Sequence, residues 1–166
     1  ELSPRCFDST HIASIVIPDR ITSVPEMCFY GTEELTSVKM SCVESIGEKA
    51  FGYSKLLSSV ELGNALRRIG IRAFTNCVSL ASINLPDSVT DIAEYAFQNC
   101  KSLTSLSLGK NVETFGIMDL GTDGVFGTSA SPVYTCTALT QINVAEGNTH
   151  FASADGILYA NELNGK

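Results

Sequence analysis

Short runs of alternating apolar and polar residues return along this chain at a near-constant interval. In "LASINL", Leu80, Ile83 and Leu85 fall on one side and Ala81, Ser82 and Asn84 on the other. That alternation predicts a short strand with one buried face. The same run opens at Ile12, Leu35, Leu57, Leu80, Leu103 and Leu139, at intervals of 23, 22, 23, 23 and 36 residues. The last interval reads as 23 plus an insertion of 13. Each strand is followed by turn residues: Pro18-Asp19, Gly63-Asn64, Pro86-Asp87 or Gly109-Lys110. An apolar pair comes next (Ile21 and Val24, Leu66 and Ile69, Val89 and Ile92), and then a small residue (Pro25, Gly47, Gly70, Ala93 or Gly116). Glu26, Glu48 and Glu94 follow it in three units, where an acid suits a helix N-terminus.

The heaviest column is aromatic: Phe7, Phe29, Phe51, Phe74, Phe97 and Phe126. Gly31, Asn76 and Asn99, two residues further on, suit a left-handed cap on a short helical turn, a pattern that Tyr53 breaks. One such coil cannot cover its own apolar edges, whereas stacked coils cover one another. A fixed period of this length with Leu at strand positions signals a leucine-rich solenoid. The expected fold is an α/β leucine-rich-repeat solenoid of right-handed coils of about 23 residues, with short parallel strands and short helical turns. It forms a single domain over residues 1–166. A partial repeat covers 1–11, repeats start at 12, 35, 57, 80 and 103, an insertion lies near 117–135 and a terminal segment occupies 139–166. The opening residues already read as the middle of a repeat, so the chain is expected to be a piece of a longer one.

Composition narrows the function classes. An apolar share of 44% allows a continuous core. A net charge of -7, with Arg67-Arg68 as the tightest basic pair, speaks against nucleic acid. No apolar run is long enough to span a bilayer, and "ELSPRCF" lacks the basic start and apolar stretch of a signal peptide. The six cysteines form no CxxC pair. Cys77, Cys100 and Cys136 share one repeat position, and Cys6 and Cys28 share another. Buried reduced thiols are the expected reading. Bridges between adjacent coils are the alternative, since stacking brings Cα atoms into disulfide range.

Candidate chemistry is sparse. "GTDGVFGTS" (Gly121 to Ser129) lacks the Lys of a phosphate loop. A calcium loop starting at Asp119 fits at Asp123 and Gly124 but fails at Gly121 and Ala130. His11 and His150 stand at opposite ends of the chain, and no Ser lies in G-x-S-x-G. No catalytic residue, cofactor or metal is expected, and the chain is not expected to be an enzyme.

The strand face does carry a pattern. Its columns are Ala13, Thr36, Ser58, Ala81, Thr104, Thr140; then Ser14, Ser37, Ser59, Ser82, Ser105, Gln141; then Val16, Lys39, Glu61, Asn84, Ser107, Asn143. Either these hydroxyls form a recognition face, or they fit a crowded sheet and bond within their own ladder. A monotonous surface discriminates partners poorly, so specificity is expected at an irregular feature. The insertion supplies one, with Met118, Asp119, Asp123 and Tyr134, next to Ser105, Ser107, Gln141 and Asn143.

The composite "LxSIxLPDSVTxIxxxAFxNCxSL" is carried by Leu80, Ser82, Ile83, Leu85, Pro86, Asp87, Ser88, Val89, Ile92, Ala96, Phe97, Cys100 and Leu103. It resembles the BspA-like leucine-rich repeats of bacterial surface proteins, and the resemblance runs to about residue 145. Val144, Asn148, Phe151, Ser153, Asp155, Gly156, Leu158 and Tyr159 are similar to the segment that breaks or closes arrays in that family. The second unit, "MSCVESIG", departs from the pattern, with Ser41 and Cys42 where Pro-Asp would stand. The resemblance implies a module at the cell surface or secreted that binds other macromolecules, and the chain is expected to be a monomer. Such a module would adhere to an extracellular protein, such as a host matrix protein, or to a glycan. The rival readings are a structural spacer that presents another domain, and a carbohydrate-binding surface module. For the latter, Tyr30, Tyr53, Tyr134 and Tyr159 are loosely placed aromatic candidates.

Overall fold

Each repeat contributes two strands to the solenoid, one more than the alternation predicts. The computed structural model describes residues 1–116 and 130–160. The longer strand of each coil is β1 (Ser14–Ile17), β3 (Ser37–Met40), β5 (Ser59–Leu62), β7 (Ser82–Asn84), β9 (Ser105–Leu108) and β11 (Gln141–Val144). The shorter is β2 (Ser23–Val24), β4 (Ser45–Ile46), β6 (Arg68–Ile69), β8 (Asp91–Ile92) and β10 (Thr114–Phe115). β12 (Phe151–Ala154) and β13 (Ile157–Ala160) follow. Strands β1, β3 and β5 form one parallel sheet, and β7, β9 and β11 a second. The two-residue strands form a continuous five-stranded stack, β2-β4-β6-β8-β10. Between β5 and β7 the ladder is interrupted, and Ser79 N donates to Lys55 O across the gap at 3.2 Å. Register follows the sequence period. Ser14 pairs with Ser37 and Ser37 with Ser59. Ser105 pairs with Gln141, so the long unit rejoins the sheet in register.

The arc carrying the Phe column is not helical, and no helix forms among the described residues. The reason lies in where its N–H groups point. Ala50, Gly52 and Ser54 donate locally, three residues back, at 2.9–3.3 Å. Lys49, Phe51 and Tyr53 donate instead to Ile71, Ala73 and Thr75 of the next coil, at 2.8–2.9 Å. Alternation of this kind needs left-handed residues at every fourth position. They are Met27 and Gly31, Lys49 and Tyr53, Arg72 and Asn76, and Tyr95 and Asn99, with φ of 51–62°. Tyr53 therefore closes its turn like its counterparts. The carbonyls of Glu26, Glu48 and Glu94 accept from the coil before rather than starting a helix.

Inside the arc the rings stack face to face. Phe7, Phe29, Phe51, Phe74 and Phe97 have successive centroid distances of 5.1, 5.2, 5.2 and 5.5 Å and interplanar angles of 8° or less. Phe126 lies outside the described residues. Phe97 N donates to Pro132 O, as Phe74 N does to Ala96 O, so Val133 occupies the next position of the Phe column.

Three residues after each Phe position stands a small donor: Thr10, Thr32, Ser54, Cys77, Cys100, then Cys136. Thr10 and Thr32 donate to Phe7 O and Phe29 O at 2.8 and 2.9 Å. Ser54, Cys77, Cys100 and Cys136 donate to Phe29, Phe51, Phe74 and Phe97 O, each in the coil before, at 2.9–3.2 Å. The thiols thus do the work of hydroxyls, satisfying a buried carbonyl while adding apolar bulk. Burial pushes the Cys77 thiol well above its ordinary range. In the reduced, native protein, a thiol reagent is expected to label exposed Cys6 first and half-buried Cys42 more slowly. Cys28, Cys77, Cys100 and Cys136 should react only after unfolding. Labelling of Cys77 at the rate of Cys6, read by peptide mass, would contradict this packing.

A hairpin follows the last coil. Asp155 and Gly156, with φ of 53° and 80°, make the two-residue turn between β12 and β13. Gly156 O accepts from Ile142 N at 3.0 Å, and Ser153 Oγ accepts from Val144 N at 3.1 Å. Phe151 is buried edge-on against Phe115. Asn148 anchors the segment: its Nδ2 donates to Gly109 O and Val112 O at 2.9 and 3.0 Å. Its Oδ1 accepts from His150 N and Phe151 N, both at 2.8 Å. Asn148→Ala strips partners from several buried backbone groups and is expected to cost about 2–3 kcal/mol in a urea melt.

Candidate functional site

The three strand-face columns differ in what their side chains already hold. In the first, hydroxyls are committed to the fold. Thr36 donates to Ala13 O, Ser58 to Thr36 O, Thr104 to Ala81 O and Thr140 to Thr104 O, at 3.0–3.4 Å. That column bonds within its own ladder. In the third, Lys39 Nζ and Glu61 Oε2 pair across adjacent coils at 2.7 Å, and the bond raises the Lys39 pKa. Both side chains are more than half exposed, so the pair adds little stability. Val16 stands beside them, 66% exposed.

Toward the other end, Ser105 faces Gln141 and Ser107 faces Asn143 by strand register. Ser107, Gln141 and Asn143 are exposed and Ser105 is half-buried. None of the four side chains has a hydrogen-bond partner among the described residues. They form a neutral cluster of hydroxyl and amide groups on a rigid sheet. Met118, Asp119 and Asp123, proposed from the sequence to sit beside them, lie outside the described residues. Tyr134 is described and does not join the cluster. It lies on the preceding arc, packed edge-on against Tyr95 at 6.1 Å, with the Arg72 guanidinium 4.6 Å above the Tyr95 ring.

Metal-binding and membrane features are scarce. Among the described residues, no group of three or more His, Cys, Asp or Glu side chains could hold a metal ion. No helix there is long and apolar enough to cross a membrane. The calcium-loop candidates Asp119, Gly121, Asp123 and Gly124 lie outside the described residues.

Two stacks of parallel strands at a period of 22–23 residues, a stacked Phe column and a donor ladder behind it define the repeat. A family model for the BspA-type leucine-rich-repeat region matches residues 1–118 in six copies. The chain belongs to the BspA-type leucine-rich-repeat family. Solved structures agree with that assignment. A leucine-rich-repeat protein of T. pallidum is 30% identical, with a TM-score of 0.67 over 78% of this chain and 57% of that one. A leucine-rich cell-surface protein of Faecalibacterium prausnitzii is 26% identical, with a TM-score of 0.60 over 93% of this chain and 44% of that one. The pneumococcal vaccine antigen PcpA shares the fold at 23% identity, with a TM-score of 0.53 over 89% of this chain and 34% of that one. The BspA-type chain thus spans little more than half the length of the first of these structures, and less of the others. No protein with a curated description matches it at a significant level.

One feature of this BspA-type solenoid was not legible as a site in the sequence. Tyr30 and Tyr53, which the sequence places only loosely, stand on adjacent coils with ring centroids 5.3 Å apart and planes tilted by 50°. With Gly31, Glu33, Lys55 and Leu56 they line an open hollow of about 440 Å³. Leu56 is 51% exposed and Tyr53 43%. Tyr30 follows its column Phe by one residue and Tyr53 by two, so no single repeat position announces the pair.

Proposed function

We propose that this chain is a macromolecule-binding module of a bacterial cell-surface or secreted protein, adhering to an extracellular protein through the strand face at Ser105, Ser107, Gln141 and Asn143 together with the inserted loop. One observation carries the reading. These four polar side chains are held on a rigid parallel sheet with no partner among the described residues, while the neighbouring Thr104 and Thr140 are spent on the fold. The sheet backbone loses little freedom on docking, and these side chains have no hydrogen bond to another described residue to give up. The family assignment and the likeness to a bacterial cell-surface protein support the location. The test shortens the 36-residue unit to 23 residues and, separately, replaces Gln141 and Asn143 with Ala. Binding is then measured against a panel of matrix proteins and glycans. Both changes should weaken capture of a protein ligand about tenfold or more without moving the melting curve. Unchanged binding by folded variants would place the contact elsewhere.

A second reading, a glycan-binding surface, is favoured by the Tyr30–Tyr53 hollow. There, aromatic faces stand beside the Glu33 carboxylate and the Lys55 ammonium. Tyr53→Ala should abolish glycan capture and leave protein capture intact if that reading holds.

A further inference from the structure

Cys6 and Cys28 immediately precede Phe7 and Phe29, at the repeat position filled by Ala50, Ala73 and Ala96 in the next three coils. Backbone bonds confirm the equivalence: Phe7 N donates to Cys28 O, Phe29 N to Ala50 O and Phe51 N to Ala73 O, at 2.7–2.9 Å. A methyl group suffices there in three coils, so packing alone does not call for sulfur. These two thiols also differ from the donor ladder. Cys77, Cys100 and Cys136 each donate to a carbonyl. Cys6 and Cys28 face each other, with Sγ atoms 3.2 Å apart. Cys6 is exposed and Cys28 is buried, so one sulfur is open to a reagent and the other is shielded behind it.

The coils are held at a spacing that permits closure. Arg5 N–Glu26 O and Phe7 N–Cys28 O bonds of 3.1 and 2.9 Å flank the pair. Neighbouring strands about 4.8 Å apart lie within the Cα range of a disulfide. Bringing the sulfurs from 3.2 Å to bonding distance takes a shift of about 1 Å, which rotation of the exposed Cys6 side chain can supply.

We propose that Cys6 and Cys28 form a redox modification site, closing to a disulfide when the chain meets a low-molecular-weight disulfide such as oxidised glutathione. The Cys6 thiolate attacks one sulfur of the oxidant, forming a mixed disulfide and expelling one glutathione thiolate. Cys28 loses its proton and attacks the Cys6 sulfur, forming the Cys6–Cys28 bond and expelling the second glutathione thiolate. Two protein thiols are oxidised by two electrons, and one oxidant disulfide is reduced to two thiols. Burial pushes the Cys28 thiol up, which leaves the exposed Cys6 as the sulfur that attacks first, so the mixed disulfide forms on Cys6 before closure. Cys100 and Cys136 are also neighbouring thiols, but like Cys77 they are buried, so no reagent reaches them in the folded chain and they do not compete.

The test treats the reduced full chain with oxidised glutathione at mildly alkaline pH. Denatured thiols are counted, intact mass is measured and non-reduced peptides are mapped over time. The expected course is a transient glutathione adduct on Cys6, then loss of two thiols and two hydrogens, with one peptide linking Cys6 to Cys28. Amide exchange at Phe7 and Ser9 should slow about tenfold on oxidation, as the first coil can no longer open from its neighbour. Cys6→Ala and Cys28→Ala, which install the residue found in the next coils, should each retain the fold and form no cross-link. Survival of all six thiols overturns the proposal, as does a glutathione adduct that never resolves. A cross-link mapped to any other pair overturns it too.

Discussion

Phe74→Ala is expected to destabilise the protein by about 3–5 kcal/mol, the range for emptying a large buried site. Phe74 has no solvent exposure, and its ring is sandwiched between Phe51 at 5.2 Å and Phe97 at 5.5 Å. Truncation removes the buried ring surface and two near-parallel stacking contacts. The neighbours cannot close the gap. Phe51 N–Ala73 O and Phe74 N–Ala96 O bonds of 2.8 and 2.7 Å fix the coil spacing on both sides, so a cavity stays open. Phe7 is half-buried and has one recorded ring partner, so Phe7→Ala should cost less than half as much. Urea melts under reducing conditions measure both. A loss below about 1 kcal/mol for Phe74→Ala would remove that ring from the core.

Gly63→Ala should be at least as damaging, about 4 kcal/mol or more, for a different reason. An added Cβ would lie 1.8 Å from Ser41 O, 2.4 Å from Ser41 C and 2.7 Å from Ser41 Cα. All three are backbone atoms, so no rotamer change relieves the clash. The coils would have to part where Gly63 N donates to Met40 O at 2.8 Å and where Met40 pairs with Leu62. This is the junction with the second unit, where Ser41-Cys42 replaces Pro-Asp and the repeat is one residue short. Gly147→Ala provides the comparison. Gly147 has φ of +85° and open space around its Cβ position, so alanine there should cost only about 1 kcal/mol, from backbone conformation. Equal losses at the two positions would show that close approach is not what Gly63 provides.

What could be read from the residues alone was whatever repeats in residue type. Ser14, Ser37 and Ser59 stand in register because a period-two alternation nested in a 22–23-residue interval leaves one way to stack. The Asp155-Gly156 turn went unread, because both residues were taken only as part of a segment that closes the array. The second strand stack was hidden because two residues carry no alternation. The left-handed positions at Met27, Lys49, Arg72 and Tyr95 were hidden because hydrogen bonds to the next coil impose them against local preference. A helical turn was the better local guess, and the neighbouring coil overrode it. The donor column escaped notice because it changes from Thr to Ser to Cys, conserving a hydrogen bond rather than a residue type. Phe126 was assigned to the Phe column by counting through a unit whose excess length precedes Val133. Of the candidate site, register placed Ser105, Ser107, Gln141 and Asn143 together as read, whereas Tyr134 packs on a different arc.

The bonds that join one coil to the next run along the solenoid axis. Pulled end to end, such a molecule is loaded against its rungs one after another rather than against all of them in parallel. Each coil that peels away would release 23 residues, about 80 Å of contour, while the remaining stack keeps its structure. A chain of this kind held at its two ends would lengthen in steps, limiting the peak force carried along it.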